Sequence, residues 1–150
     1  MINEKWDHSQ EVKCRIEKAR AAFNQMAKLF KSHNLNMHIK IKLLYCYIFS
    51  ILFYGVESWT LTKSTKKRLE AFEMWLYRRV LRISWMDRVT NKAVLERMDK
   101  DLEVMNIIKS RKLAYFGHIM RNEEKYSLLK SVLQGRYVAE EDQEEGEYHG

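Results

Sequence analysis

Residues 65–83 decide the fold: Thr65-Lys-Lys-Arg-Leu-Glu-Ala-Phe-Glu-Met-Trp-Leu-Tyr-Arg-Arg-Val-Leu-Arg-Ile83. At about 100° per residue, Leu69, Phe72, Leu76, Val80 and Ile83 fall on one arc of roughly 80°, the mark of an amphipathic helix. Thr65 is positioned to cap it. A second arc gathers Lys67, Arg68, Arg78, Arg79 and Arg82, with Trp75 in their midst. Such a face can track phosphates while its indole stacks on a base or sugar. The same pattern also suits a solvated cationic face with Trp75 tucked under a neighbouring element.

Working outward, the rest of the chain reads as helices too. Towards the amino terminus, Val12, Ile16, Ala19, Phe23, Met26 and Phe30 recur at helical spacing behind Ser9, a plausible N-cap. The polar run Ser32–Asn36 interrupts the pattern. A second helix, about Met37 to Phe53, is apolar nearly all round, is expected at the centre of the bundle, and stops at Gly55. Its run Leu43–Val56 is 14 residues without a charge. A membrane span needs roughly 20, so this reads as a core helix with an inert, buried Cys46.

Beyond Ile83, Trp85 and Asp87 fall in a loop, and Thr90 or Asn91 caps a short helix to Met98. Asp99 and Asp101 lie in a turn where they can cap the next helix, about Leu102 to Arg121. That helix turns Met105, Ile108, Phe116, Ile119 and Met120 to the core, and Arg111, His118 and Arg121 to another face. A last short helix is expected over Tyr126–Gln134. The fold class is all-α: a compact bundle of about five to six helices. Residues 1–8 form an amino-terminal arm, 9–136 the helical domain, and 137–150 an acidic tail expected to be disordered.

Composition supports this. The 150 residues contain no proline and five glycines, too few punctuators for turn-rich β folds. Two cysteines cannot supply a disulfide framework, which places the chain in a reducing compartment. There are 27 Lys and Arg against 20 Asp and Glu, a net charge of +7. Six of the acids lie after Arg136 and no bases do, so residues 1–136 carry +13. A surplus of that size points to a polyanionic partner, either nucleic acid or an anionic membrane.

Chemistry-bearing patterns are missing from the sequence. The glycines are too dispersed for a phosphate loop, and no C-x-x-C or H-E-x-x-H spacing occurs. No nucleophile has a base beside it in the sequence, and the acids are scattered over polar faces. The expectation is a chain without catalytic residues, metal site or cofactor of its own.

Three separated segments then form one pattern. They are Tyr54-Gly-Val-Glu-Ser-Trp-Thr-Leu-Thr62, then Arg68-Leu-Glu-Ala-Phe-Glu-Met-Trp75, then Arg78-Arg-Val-Leu-Arg-Ile-Ser-Trp-Met-Asp-Arg-Val-Thr-Asn91. Ala22-Phe-Asn24 and Ile39-Lys-Ile-Lys-Leu-Leu44 fit upstream, and Arg111-Lys-Leu-Ala-Tyr-Phe-Gly-His-Ile-Met-Arg121 downstream. Over about residues 11–136 the chain resembles the region carboxy-terminal to the polymerase core in non-LTR (LINE-type, jockey-like) retrotransposon endonuclease–reverse transcriptases. The resemblance implies a helical, thumb-like region that grips RNA or an RNA–DNA duplex by its backbone, in the nucleus. It also implies that the Mg-binding aspartates of the polymerase, in a Tyr-X-Asp-Asp motif, and the endonuclease domain lie outside this sequence. The partners expected are an RNA or RNA–DNA duplex, the polymerase core or another protein, and no membrane. Where that family continues with a basic Gly-Arg-Pro-rich segment, Gly135-Arg136 here meets the acidic tail. Within this frame Lys67, Arg68, Trp75, Arg78, Arg79 and Arg82 are the first candidate contact surface. Arg111, His118 and Arg121 are the second. Trp59 is expected to plug the core, and Glu57 to pair with Arg78 or Arg79. The other reading is a non-catalytic helical protein-interaction module, or a degenerate remnant without activity.

Overall fold

The computed structural model describes residues 8–121 and Val132, and among them every regular element is helical. The arm, the helix expected over Tyr126–Gln134 and the acidic tail lie outside the described residues, save for His8 and Val132.

The first helix, α1, runs His8–Gln25 and is followed after Met26 by a single turn, α2, Ala27–Phe30. The predicted stripe is the buried one: Val12, Ile16, Ala19, Phe23 and Phe30 all lie in the core, and Met26 packs against it. Ser9 sits inside α1, one residue past its first.

The next helix starts where expected, with Asn36 Oδ1 accepting from the amide of Ile39 at 2.9 Å. It comprises α3 (Met37–Leu43), a π-helical stretch (Leu44–Phe49) and α4 (Ser50–Leu52). It is not apolar all round. Leu44, Ile48, Phe49, Leu52 and Phe53 are buried, but Tyr45, Cys46 and Tyr47 face solvent. The buried set recurs at helical spacing, and Cys46, two residues from both Leu44 and Ile48, falls on the other side of the segment. Cys46 is therefore exposed, contrary to the sequence reading. The carbonyl of Ile51 is capped from another helix: Arg15 donates to it from Nε at 3.0 Å and from Nη2 at 2.7 Å. Gly55 ends the segment as expected, at φ +74°, which glycine adopts without steric cost.

A short 3₁₀ turn, Val56–Ser58, leads to Trp59, which is fully buried as expected. Helix α5 then spans Lys63–Val80. Its cap is Thr62, whose Oγ1 accepts from the amide of Thr65 at 3.2 Å; Thr65 itself is buried in the first turn. Leu69, Phe72, Leu76 and Val80 are in the core, and the buried surface widens through Glu73, Met74 and Tyr77.

α5 ends earlier than its hydrophobic period suggests. The amide of Ile83 donates to the carbonyl of Arg78 (2.9 Å) and that of Arg82 to Arg79 (3.2 Å), a Schellman closure. Arg82 occupies the left-handed position at φ +59°. A 3₁₀ turn (Trp85–Asp87) follows, then α6 (Asn91–Met98), capped by Thr90, and α7 (Val104–Arg121).

α1 packs on the π-helical stretch and α4 on one side and on α5 on another, while α7 lies against α5 and the Val56–Ser58 turn. Met105, Ile108 and Ile119 of α7 are buried, and Phe116 and Met120 half-buried.

Candidate nucleic-acid interface

α5 divides two polar environments. On its inner side Glu73 is fully buried. Its Oε2 accepts from Tyr77 Oη at 2.5 Å and from the amide of Glu103 at 2.7 Å, and Oε1 accepts from the amide of Val104 at 3.1 Å. The carboxylate thus satisfies the opening amides of α7, where a negative charge also complements the helix dipole. Asp99 instead sits in the left-handed position that closes α6, and Asp101 is exposed, so neither caps α7 as the sequence suggested.

Lys100 completes this inner group. Its Nζ lies 3.1 Å from Glu103 Oε2 and 3.2 Å from Tyr45 Oη, and about 5 Å from the centroids of the Tyr45 and Tyr77 rings. Burial lowers the pKa of Lys100, opposed by the charge of Glu73, and burial raises that of Glu103. Tyr77 is pushed far up, first by burial and then by Glu73.

On the outer side a concavity of about 920 Å³ opens beside the carboxy-terminal half of α5. Lys31, Trp75, Arg78, Arg79, Arg82, Ser84, Trp85 and Arg88 line it with Ile83 and Val89, and among the described residues no acid contributes to the wall. Four of the expected residues, Trp75, Arg78, Arg79 and Arg82, therefore do come together. Their roles differ. Trp75 is half-buried, stacked on Phe72 (centroids 5.8 Å apart) and edge-on to Phe23 (5.4 Å), with Arg20 and Arg79 over its ring at 4.9 and 4.8 Å. It is a packing residue with a cationic cover, the tucked-in alternative of the sequence reading.

Arg78 is engaged in the fold. Its Nη2 donates to the carbonyl of Val89 at 2.8 Å and to Asn91 Oδ1 at 2.7 Å, tying the loop after α5 back onto the helix. The expected pairing of Glu57 with Arg78 or Arg79 is not made: Arg78 bonds Val89 and Asn91, and Arg79 covers Trp75. Arg82, off the helix rather than on its face, donates from Nη1 to His33 Nε2 at 2.5 Å. A guanidinium only donates, so this imidazole nitrogen is the unprotonated one.

Sequence reasoning missed the other six members of the wall, among them two cations and a tryptophan. Lys31 comes from the end of α2, and Trp85 and Arg88 from the turn following α5. Lys40 adds positive potential nearby: it is buried on α3, and its pKa is lowered by burial and then by the charge of Arg82.

Lys67 lies with Trp75 and Arg78 on a shallower depression of about 480 Å³ that also holds Glu70. Arg68 is exposed and lines neither concavity. Arg111, His118 and Arg121 are exposed on α7, outside both, with the Arg111 guanidinium 5.0 Å from the centroid of Phe53. Among the described residues no three His, Cys, Asp or Glu side chains converge to hold a metal ion. No described helix is long and apolar enough to cross a membrane.

No protein-family model matches the chain, and no solved structure does. A curated transposon-derived protein of Caenorhabditis elegans is 27% identical over 117 residues, which cover 76% of this chain and 42% of that protein. The chain thus matches about two-fifths of the length of a protein that descends from a transposon.

Proposed function

We propose that this chain is the thumb-like, carboxy-terminal part of a non-LTR retrotransposon reverse transcriptase, acting in the nucleus. It holds the sugar–phosphate backbone of an RNA or RNA–DNA duplex without reading its sequence and without catalysing a reaction itself. The observation that carries this reading is the cationic concavity, which gathers Lys31, Arg79, Arg82 and Arg88 from three segments onto one surface with no acid among its described residues. Clustered guanidinium and ammonium groups with no carboxylate among them suit a run of phosphates, and backbone contact of this kind carries no base information. The likeness to a transposon-derived protein and the three ordered segments of the sequence support the same reading.

The test is binding of the whole chain to a labelled blunt RNA–DNA duplex across a salt series. Affinity is expected to fall with a log–log slope of about −3 to −4, one unit for each phosphate neutralised. Arg82→Glu with Arg88→Glu is expected to weaken binding to unrelated duplexes equally. A loss confined to one sequence, or a flat salt response, would reject the reading. Self-association without duplex binding would instead favour the protein-interaction module, for which the exposed Tyr47 and Tyr54 supply an aromatic surface.

A further inference from the structure

The turn after α5 exposes its largest apolar group and fixes it there. Trp85 is 87% exposed and the adjoining Met86 71%, whereas Trp59 is fully buried and Trp75 half-buried. Exposure in a slack loop would be unremarked, but this backbone is closed on all sides. Ser84 and Asp87 form a capping box: the amide of Met86 donates to Ser84 Oγ at 3.3 Å, and that of Ser84 to Asp87 Oδ2 at 2.7 Å. The amide of Asp87 donates to the carbonyl of Ser84 at 3.0 Å, and Arg78 clamps the exit of the turn at Val89.

Two arginines bracket the turn in left-handed backbone, Arg82 at φ +59° and Arg88 at φ +49°. Glycine occupies that region without strain and arginine does not. Both close a helical turn, Arg82 that of α5 and Arg88 the 3₁₀ turn, at positions where glycine is the usual residue. Both guanidinium groups join the wall of the concavity that Trp85 enters.

From this juxtaposition we propose that Trp85 is a stacking platform for one unpaired nucleobase, where the single strand leaves the duplex. Arg82 and Arg88 then hold the phosphates flanking that base. The inference rests on the duplex-binding reading and adds the junction as the preferred ligand. Both ligand parts have a counterpart: an indole face for the base, which every base can use, and cations for the phosphates on either side. The acidic group nearest in sequence, Asp87, is held by the amide of Ser84 within the turn.

The experiment compares the whole chain on a blunt RNA–DNA duplex, on the same duplex with a short single-stranded extension, and on the extension alone. The extended duplex is expected to bind about ten-fold more tightly than the blunt one, the typical gain for one stacked base. Trp85→Ala is expected to bring the ratio of extended- to blunt-duplex affinity down to about one, and Trp85→Phe to restore part of the preference. Equal affinity for blunt and extended duplexes overturns the platform and leaves the duplex reading standing. If neither duplex binds, the duplex reading fails; the platform survives only if the single strand binds in a Trp85-dependent way, and otherwise fails with it. A preference for the extension that persists in Trp85→Ala also overturns it.

Discussion

Glu73 and Arg82 belong to the same stretch of chain, yet each meets the opposite kind of surroundings. Glu73 is enclosed, and three donors converge on its carboxylate, two of them amides some 30 residues away in sequence. Arg82 stands at the surface in left-handed backbone, among other cations and beside the exposed Trp85, with one bond to the fold, at His33. A buried charge of the first kind specifies which helix packs where, because the arrangement is tolerable only when every partner is in place. Surface charges of the second kind repel one another and do little for the fold, so their convergence is explained better by what they meet. The difference teaches that polar residues of one stretch of chain can be sorted into structural and ligand-facing sets by asking whether internal partners satisfy all or only part of their hydrogen-bonding groups.

The largest effect expected from breaking this contrast lies on the inner side. Glu73→Ala strips the cap from α7 and leaves Tyr77 Oη and two amides unpaired, at a cost of about 3 kcal/mol in stability. Urea denaturation measures it, and a loss below about 1 kcal/mol would mean that water replaces the carboxylate.

A second handle on the same group is alkali. Tyr77 keeps its proton in the folded state well above the pH at which it ionises in the unfolded chain. Its contribution is therefore complete below about pH 10 and is lost as pH rises beyond it, at up to 1.4 kcal/mol per unit. Stability measured at pH 8 and 11 should fall less steeply in Tyr77→Phe than in the unmodified chain. Equal slopes would show that Tyr77 is reached by solvent.

The smallest change in stability is expected on the outer side, where it sharpens the comparison. Arg82→Gly with Arg88→Gly relieves about 1 kcal/mol of left-handed strain at each position, offset by the greater freedom of glycine in the unfolded chain and by loss of the exposed Arg82–His33 bond. The melting temperature should hold or rise while the salt slope of duplex binding becomes shallower by about 2. A drop in stability that accompanies the weaker binding would reassign both arginines to the fold.

Much of the fold was legible because burial follows periodicity. The α1 stripe, the Leu69–Val80 arc, the break before Met37 and the stop at Gly55 all follow from spacing and local turn chemistry. What was not legible depends on contacts distant in sequence. Ile83 continues the hydrophobic arc of α5, so the period alone hides the Schellman closure that moves Arg82 off the helix face. Glu73 looks like any acid on a helix until α7 is laid against it. Cys46 looks buried because a run of apolar residues hides its phase: two residues from both Leu44 and Ile48, it faces away from the core. At the candidate site, the arginines of α5 were visible as a helical arc. Lys31 and Arg88 were not, since only the packing of α2 and the post-α5 turn brings them alongside. Trp85 carried one usable signal, a large aromatic flanked by residues that favour a turn.

The carboxylate of Glu73 also has a consequence for the order of assembly. Its bonds to the Glu103 and Val104 amides span separations of 30 and 31 residues, so the first turn of α7 has its cap only once α5 exists and α6 has folded back. An uncapped helix start is costly to nucleate, which makes α7 a late element on the folding path. Kinetics of the Glu73→Ala protein read this directly: a late cap accelerates unfolding when it is removed, whereas an early one slows refolding.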